Sequence, residues 1–226
     1  MMFNNLHFCF HCKYQGKALK APKTEITPPT DFDLTDKHKG TAVTEMANGE
    51  ASFMNSGGVH FNVIHIDTFL QQIINRDFMK CHNRVCDYLI VSPEDSADSV
   101  IGLAELTMAD SLDNFEKPIV DKKNGNVIFP KGKSDKGPVQ LASTLKALSE
   151  IDCIANEFKK YNRRFCAFFY RLNEDSKKFS AVNAFSRGAS VIASATSGEG
   201  AKLSNPEIND LGFDFYRVQY PTQFRI

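Results

Sequence analysis

Two short apolar runs decide how this chain reads: Val85-Cys86-Asp87-Tyr88-Leu89-Ile90-Val91 and Val100-Ile101-Gly102-Leu103-Ala104-Glu105-Leu106. Between them lies Ser92-Pro93-Glu94-Asp95-Ser96-Ala97-Asp98-Ser99, a stretch dominated by turn-forming residues. Runs of this length and content, joined by one turn segment, predict an antiparallel hairpin. Both faces of each run are apolar, which places the strands centrally in a sheet covered on two sides. The exceptions are two acids. With the loop centred between Ser92 and Ser99, opposed residues have numbers summing to about 191 or 192, and the second sum sets Asp87 opposite Glu105. Their Cβ atoms would then lie roughly 4.5 to 5.5 Å apart on one face, with Thr107 on the same face. A register one residue different turns the acids to opposite faces. Like charges this close are costly to bury unless they share a proton or a cation. Oxygen ligands that converge with room for water suit Mg²⁺ or Mn²⁺.

Upstream, Phe69, Ile73 or Ile74 and Phe78 fall on one side at helical spacing, predicting a helix from about Asp67 to Met79 with Asp67 as its N-cap. Downstream, residues 110–137 turn polar. There Ile119-Val120 and Val127-Ile128-Phe129 flank a segment containing Asn124-Gly125, so an inserted hairpin is expected. This stretch carries Lys117, Lys122, Lys123, Lys131, Lys133 and Lys136, the clearest local excess of positive charge. A helix from Val139 to Tyr161 follows, striped by Leu141, Leu145, Leu148 and Phe158 with Pro138 just before it. Strands are expected at Phe165–Leu172, Ser190–Ala195 and Phe213–Tyr220.

The order of elements predicts an α/β domain over residues 59–226, with a central mixed sheet flanked by helices. Residues 1–58 read as an irregular N-terminal arm, because the segment 15–58 is poor in large apolar side chains and contains Pro22, Pro28, Pro29, Gly49, Gly57 and Gly58. At 226 residues, 42% hydrophobic and 24% charged, the chain is long and apolar enough to bury a sizeable core. Its formal net charge of zero excludes a uniformly basic nucleic-acid coat, so a charged partner must meet a local patch. No apolar run approaches a membrane span, and a cytoplasmic protein with reduced cysteines is expected. Four soft ligands, Cys9, Cys12, Cys81 and Cys86, can be assembled on paper for zinc. However, Cys86 opens an apolar strand, where a thiol acts as a small hydrophobe, and the cysteines read as isolated thiols.

The run from Cys86 to Ile90, the return through Ala104-Glu105-Leu106-Thr107, the helix opening near Gln140-Leu141 and the apolar strand after it resemble the PD-(D/E)XK nuclease superfamily, with its restriction-endonuclease-like core. The resemblance spans residues 65–172. It implies that Asp87 and Glu105 bind Mg²⁺ or Mn²⁺, that Gln140 joins the site, and that nucleic acid is the substrate, with the lysines of the inserted hairpin contacting backbone phosphates. Where the family has a lysine two residues after the Glu, this chain has Thr107, which puts catalysis in question and leaves Lys136 or Lys146 as replacements, although the apolar stripe places Lys146 awkwardly. The alternative is a catalytically inactive nuclease fold serving as a nucleic-acid or protein interaction module. A homodimer is compatible with the sequence, which fixes no oligomeric state.

Overall fold

The computed structural model describes residues 6–14, 19–36, 40–73, 85–93, 98–109, 119–120, 127–128, 133–172 and 200–226. The first third of the chain holds α1 (Leu6–Tyr14), β1 (Thr24–Ile26), β2 (Phe32–Leu34), β3 (Val43–Thr44), β4 (Ala51–Met54), β5 (Asn62–His65) and α2 (Ile66–Leu70). The predicted hairpin follows as β6 (Tyr88–Val91) and β7 (Val100–Ala109). Then come β8 (Ile119–Val120), β9 (Val127–Ile128), α3 (Lys133–Ser149), α4 (Asp152–Phe158) and β10 (Arg163–Leu172). The chain ends with β11 (Ala201–Leu203), α5 (Pro206–Asn209), β12 (Asp214–Gln219) and β13 (Gln223–Arg225).

Seven strands form one mixed sheet in the order β1-β5-β6-β7-β10-β12-β11. The strands from β1 to β7 pair antiparallel, whereas β7, β10 and β12 run parallel. The helices α3 and α4 make the connection between β7 and β10 that parallel pairing requires. Both faces are covered. On one, Leu89, Leu103, Cys166 and Phe168 pack with α3 and α4 residues such as Leu141, Leu145 and Ile154. On the other, Ile90, Ala104, Phe165 and Phe169 pack with a second sheet of order β13-β4-β2-β3. An α/β architecture with a large mixed sheet flanked by helices is therefore present. The inserted hairpin also pairs, Ile119 with Ile128 and Val120 with Val127. Among the described residues no helix is long and apolar enough to cross a membrane.

Three local expectations are corrected. The N-terminal region is no irregular arm: β1 forms an edge of the main sheet, and β2, β3 and β4 build most of the second one. Its few large apolar residues are concentrated where they count, with Phe32, Leu34 and Phe53 fully buried. The expected helix 139–161 is two helices broken around Glu150 and Ile151, and α3 starts ahead of Pro138. Proline near a helix start removes only one early backbone bond, and Gly137 beside it lets the helix approach the Phe168 ring, where a Cβ would sit 2.3 Å from the nearest ring atom. The N-cap of α2 is His65 and not Asp67, which falls in the first turn. That helix ends at Leu70, and residues 74–84 lie outside the described residues, as does the expected strand 190–195.

The second sheet is anchored from the far end of the chain. Phe224 of β13 is fully buried and lies 4.9 Å from the Phe165 ring, 5.0 Å from Tyr216 and 5.9 Å from Phe169. Phe224→Ala is expected to destabilise the protein by about 3 to 5 kcal/mol, because it leaves a cavity between the sheets. Urea denaturation measures the loss, and a change under about 1 kcal/mol would show that β13 contributes little to the core.

Candidate metal centre

The hairpin register settles the relation of the two acids. Tyr88 pairs with Ala104 and Leu89 with Leu103, so opposed numbers follow the second of the two sums and Asp87, one step beyond Tyr88, falls beside Glu105. Alternation sends Glu105 to the face of Leu103 and Ile101, under the helices, and Thr107 follows on the same face. Asp87 lies just outside β6 and is pinned by its neighbours. Its Oδ2 accepts the Leu106 N–H at 2.7 Å, and its carbonyl accepts the Ile66 N–H at 3.1 Å.

Helix α3 locks this end of the hairpin with two side chains one turn apart. Gln140 Nε2 donates to the Val85 carbonyl at 3.1 Å, and Thr144 Oγ1 accepts the Cys86 N–H at 2.8 Å while donating to the Gln140 carbonyl. The Gln140 side chain also lies near Glu105, where it favours the charged carboxylate. Gln140 thus reaches both the strand start that carries Asp87 and the acid on the next strand.

The electrostatics are those of a site with too much negative charge. Glu105 is 6% exposed, and its Oε2 is buried with no hydrogen-bond partner. Burial, and then the charge of Asp87 beside it, push the Glu105 carboxyl up to about 10. Burial also raises Asp87, to about 8, against the lowering effect of the Leu106 N–H, and the acids Asp36, Asp67 and Glu50 add to the rise. Among the described residues neither Asp87 nor Glu105 is paired with an arginine, lysine or histidine.

A cavity of about 280 Å³ opens beside Asp87 at the ends of β5 and β6, lined also by Asp67, His65, Lys23 and Asp36. Sequence reasoning did not place these four here. Asp67 was visible as an acid at a helix start, but Lys23 and Asp36 belong to the region read as an arm. His65 is 6% exposed, with Nε2 2.7 Å from Glu25 Oε1. Burial alone would raise the Glu25 carboxyl, yet hydrogen bonds from Lys23, from the Ala42 and Val43 backbone and from His65 outweigh it and hold Glu25 at about 2.

The remaining expected residues separate into groups. Thr107 is half-buried beside Tyr170 of β10. Lys133 and Lys136 lie near the start of α3, and Lys136 is half-buried one turn before Gln140, whereas Lys146 is exposed. Lys117, Lys122, Lys123 and Lys131 lie outside the described residues. Of the cysteines weighed for zinc, Cys86 is fully buried in the core, Cys9 and Cys12 sit on α1, and Cys81 lies outside the described residues.

The donor set at Asp87 and Glu105 fits a hard divalent cation. Glu105 offers a buried oxygen without a partner, and a cation beside it would relieve the repulsion that raises both carboxyls. Among the described residues no three His, Cys, Asp or Glu side chains form a closed metal cage. Two carboxylates with the other positions left to water and a phosphate is the arrangement Mg²⁺ usually takes. No protein-family model matches this chain, and neither a curated protein nor a solved structure matches it.

Proposed function

We propose that the chain is a PD-(D/E)XK-like nuclease with a restriction-endonuclease-like core, in which Asp87 and Glu105 hold Mg²⁺ or Mn²⁺ for the hydrolysis of nucleic-acid phosphodiesters. The observation that carries the reading is the buried, unpartnered Oε2 of Glu105 beside Asp87 at the end of the central hairpin. The arrangement β5-β6-β7 antiparallel, then β10 parallel to β7 with α3 between, supports the fold assignment. When bound, the ion neutralises the scissile phosphate and acidifies a water. Asp87 is presented by the Leu106 N–H, and Gln140, tied to the Val85 carbonyl, favours the charged form of Glu105. Thr107 orients water by hydrogen bonding, and the lysines of the inserted hairpin contact backbone phosphates with salt-sensitive affinity.

The second reading, an interaction module without catalysis, is favoured by Thr107, which brings no positive charge to the transition state. The two are separated by incubating the protein with DNA and RNA oligonucleotides, single- and double-stranded, in Mn²⁺ or Mg²⁺. Cleavage that is lost with chelator and in Asp87→Asn supports the nuclease. Binding without cleavage, equal in all variants, supports the module. Installing the family lysine, Thr107→Lys, is expected to raise the cleavage rate by about 10² to 10³ by stabilising charge on the attacked phosphate. An unchanged or lower rate would show that another group already fills that place.

A further inference from the structure

Thr107 stands in place of a lysine, and the ion pairs seen among the described residues join no basic side chain to Asp87 or Glu105. The cavity beside Asp87 is lined by two basic side chains, Lys23, which is tied to Glu25, and His65. His65 and Asp87 line the same space at the ends of β5 and β6. The imidazole is held from several directions. Its backbone N–H bonds the Lys23 carbonyl at 3.0 Å, its ring meets the Tyr88 ring edge-on at 5.1 Å, and its Nε2 lies 2.7 Å from Glu25 Oε1.

Glu25 is itself fixed. Its carboxylate accepts the Ala42 N–H at 2.8 and 3.0 Å and the Val43 N–H at 3.1 Å, and Lys23 Nζ lies 2.7 Å away. A carboxylate anchored this firmly determines the tautomer of its partner: Nε2 carries the proton and donates it to Glu25, which leaves the lone pair on Nδ1. A tie between β1 and β5 needs only one such bond. Here the imidazole also lines the cavity that Asp87 borders, with Glu25 behind it.

We propose that His65 is the catalytic base that accepts a proton from the attacking water in the phosphodiester hydrolysis assigned to Asp87 and Glu105, and that Glu25 is its positioning residue. The inference rests on that reading of the site. As the water oxygen bonds to phosphorus, its proton passes to Nδ1. The bond from phosphorus to the leaving sugar oxygen breaks, that oxygen takes a proton from solvent, and the imidazolium releases its proton to solvent through the cavity. The charged and titratable groups facing His65 are Glu25 and Lys23 from the β1 side, Tyr88 and Asp87 from β6, Asp67 from α2 and Asp36 from the segment after β2.

The test uses the full chain with Mn²⁺ and whichever DNA or RNA oligonucleotide the unaltered protein cleaves. His65→Ala and the larger His65→Gln are first checked for cooperative unfolding and for Mn²⁺ binding, both of which are expected to persist. Their cleavage rate is expected to fall by about 10² to 10⁴. Added imidazole should restore part of the His65→Ala rate in proportion to its free-base concentration. Glu25→Gln should lower kcat by about tenfold with KM unchanged. Cleavage at the unaltered rate in both His65 variants, absence of imidazole rescue, or loss of Mn²⁺ binding in the folded variants overturns the role of His65 while leaving the nuclease reading standing. Absence of metal-dependent cleavage by the unaltered protein overturns both.

Discussion

Glu105→Gln is expected to stabilise the metal-free protein at pH 8 and at the same time to abolish its metal-dependent chemistry. Most substitutions of a buried polar residue lose stability, so this sign is diagnostic. In the native chain the carboxyl is 6% exposed, one oxygen lacks a partner, and Asp87 lies alongside. The amide keeps the shape but removes the ionisable group. Urea denaturation in chelator should therefore give the variant a higher midpoint at pH 8 and a smaller advantage at pH 5, where the pH is close to the carboxyl's unfolded value and holding it protonated costs little. In Mn²⁺ the order should reverse, because only the unaltered protein gains from the ion. Cleavage should fall by at least about 10² with one of the two charged ligands gone. A variant that is less stable than the unaltered protein at pH 8 in chelator would show that Glu105 is held by compensation the structure does not display.

The second large effect is the pH profile of stability without divalent ions. A carboxyl whose folded value is raised contributes stability that is complete below its unfolded value and is lost as pH rises through the folded one. For Asp87 the window runs from about 3.8 to about 8, and for Glu105 from about 4.5 to about 10. Glu25 has the opposite sign: held down at about 2, it contributes stability present above about 4.5 and lost as the pH falls toward 2. The three together place the optimum near pH 4.5, with stability falling on the alkaline side by up to about 1.4 kcal/mol per pH unit from each raised group. Thermal unfolding between pH 4 and 9 in chelator measures the slope. Adding Mn²⁺ should flatten the alkaline side, since the cation replaces the protons. A stability that climbs from pH 5 to pH 8 in chelator would remove the electrostatic basis of the site.

The parts of this arrangement that were legible in the sequence are those fixed by local pairing. A turn of known centre and two apolar runs determine a register to within one residue, and the observed pairing of Tyr88 with Ala104 is one of the two sums that counting allowed. Gln140 was legible for a related reason, since the helix stripe places it one residue before the buried Leu141. The second sheet was not legible. Its strands are two to four residues long, too short for alternation to register, and β4 finds its parallel partner in β13 at the other end of the chain. The break between α3 and α4 was hidden because Leu148, Ile151 and Ile154 continue to face one core across it. His65 reads from the sequence as a surface or capping residue, and its pairing with Glu25 was not legible because the two are far apart in sequence and meet only through the pairing of β1 with β5.

The pairing of Phe53 with Phe224 joins positions roughly 170 residues apart. On a ribosome, β2, β3 and β4 emerge well before β13 and must wait for roughly 170 further residues before their outer partner arrives. During that interval the rim of β4 that will receive β13 is open to strands of other molecules. Synthesis of this protein therefore depends on shielding one short edge until β13 appears.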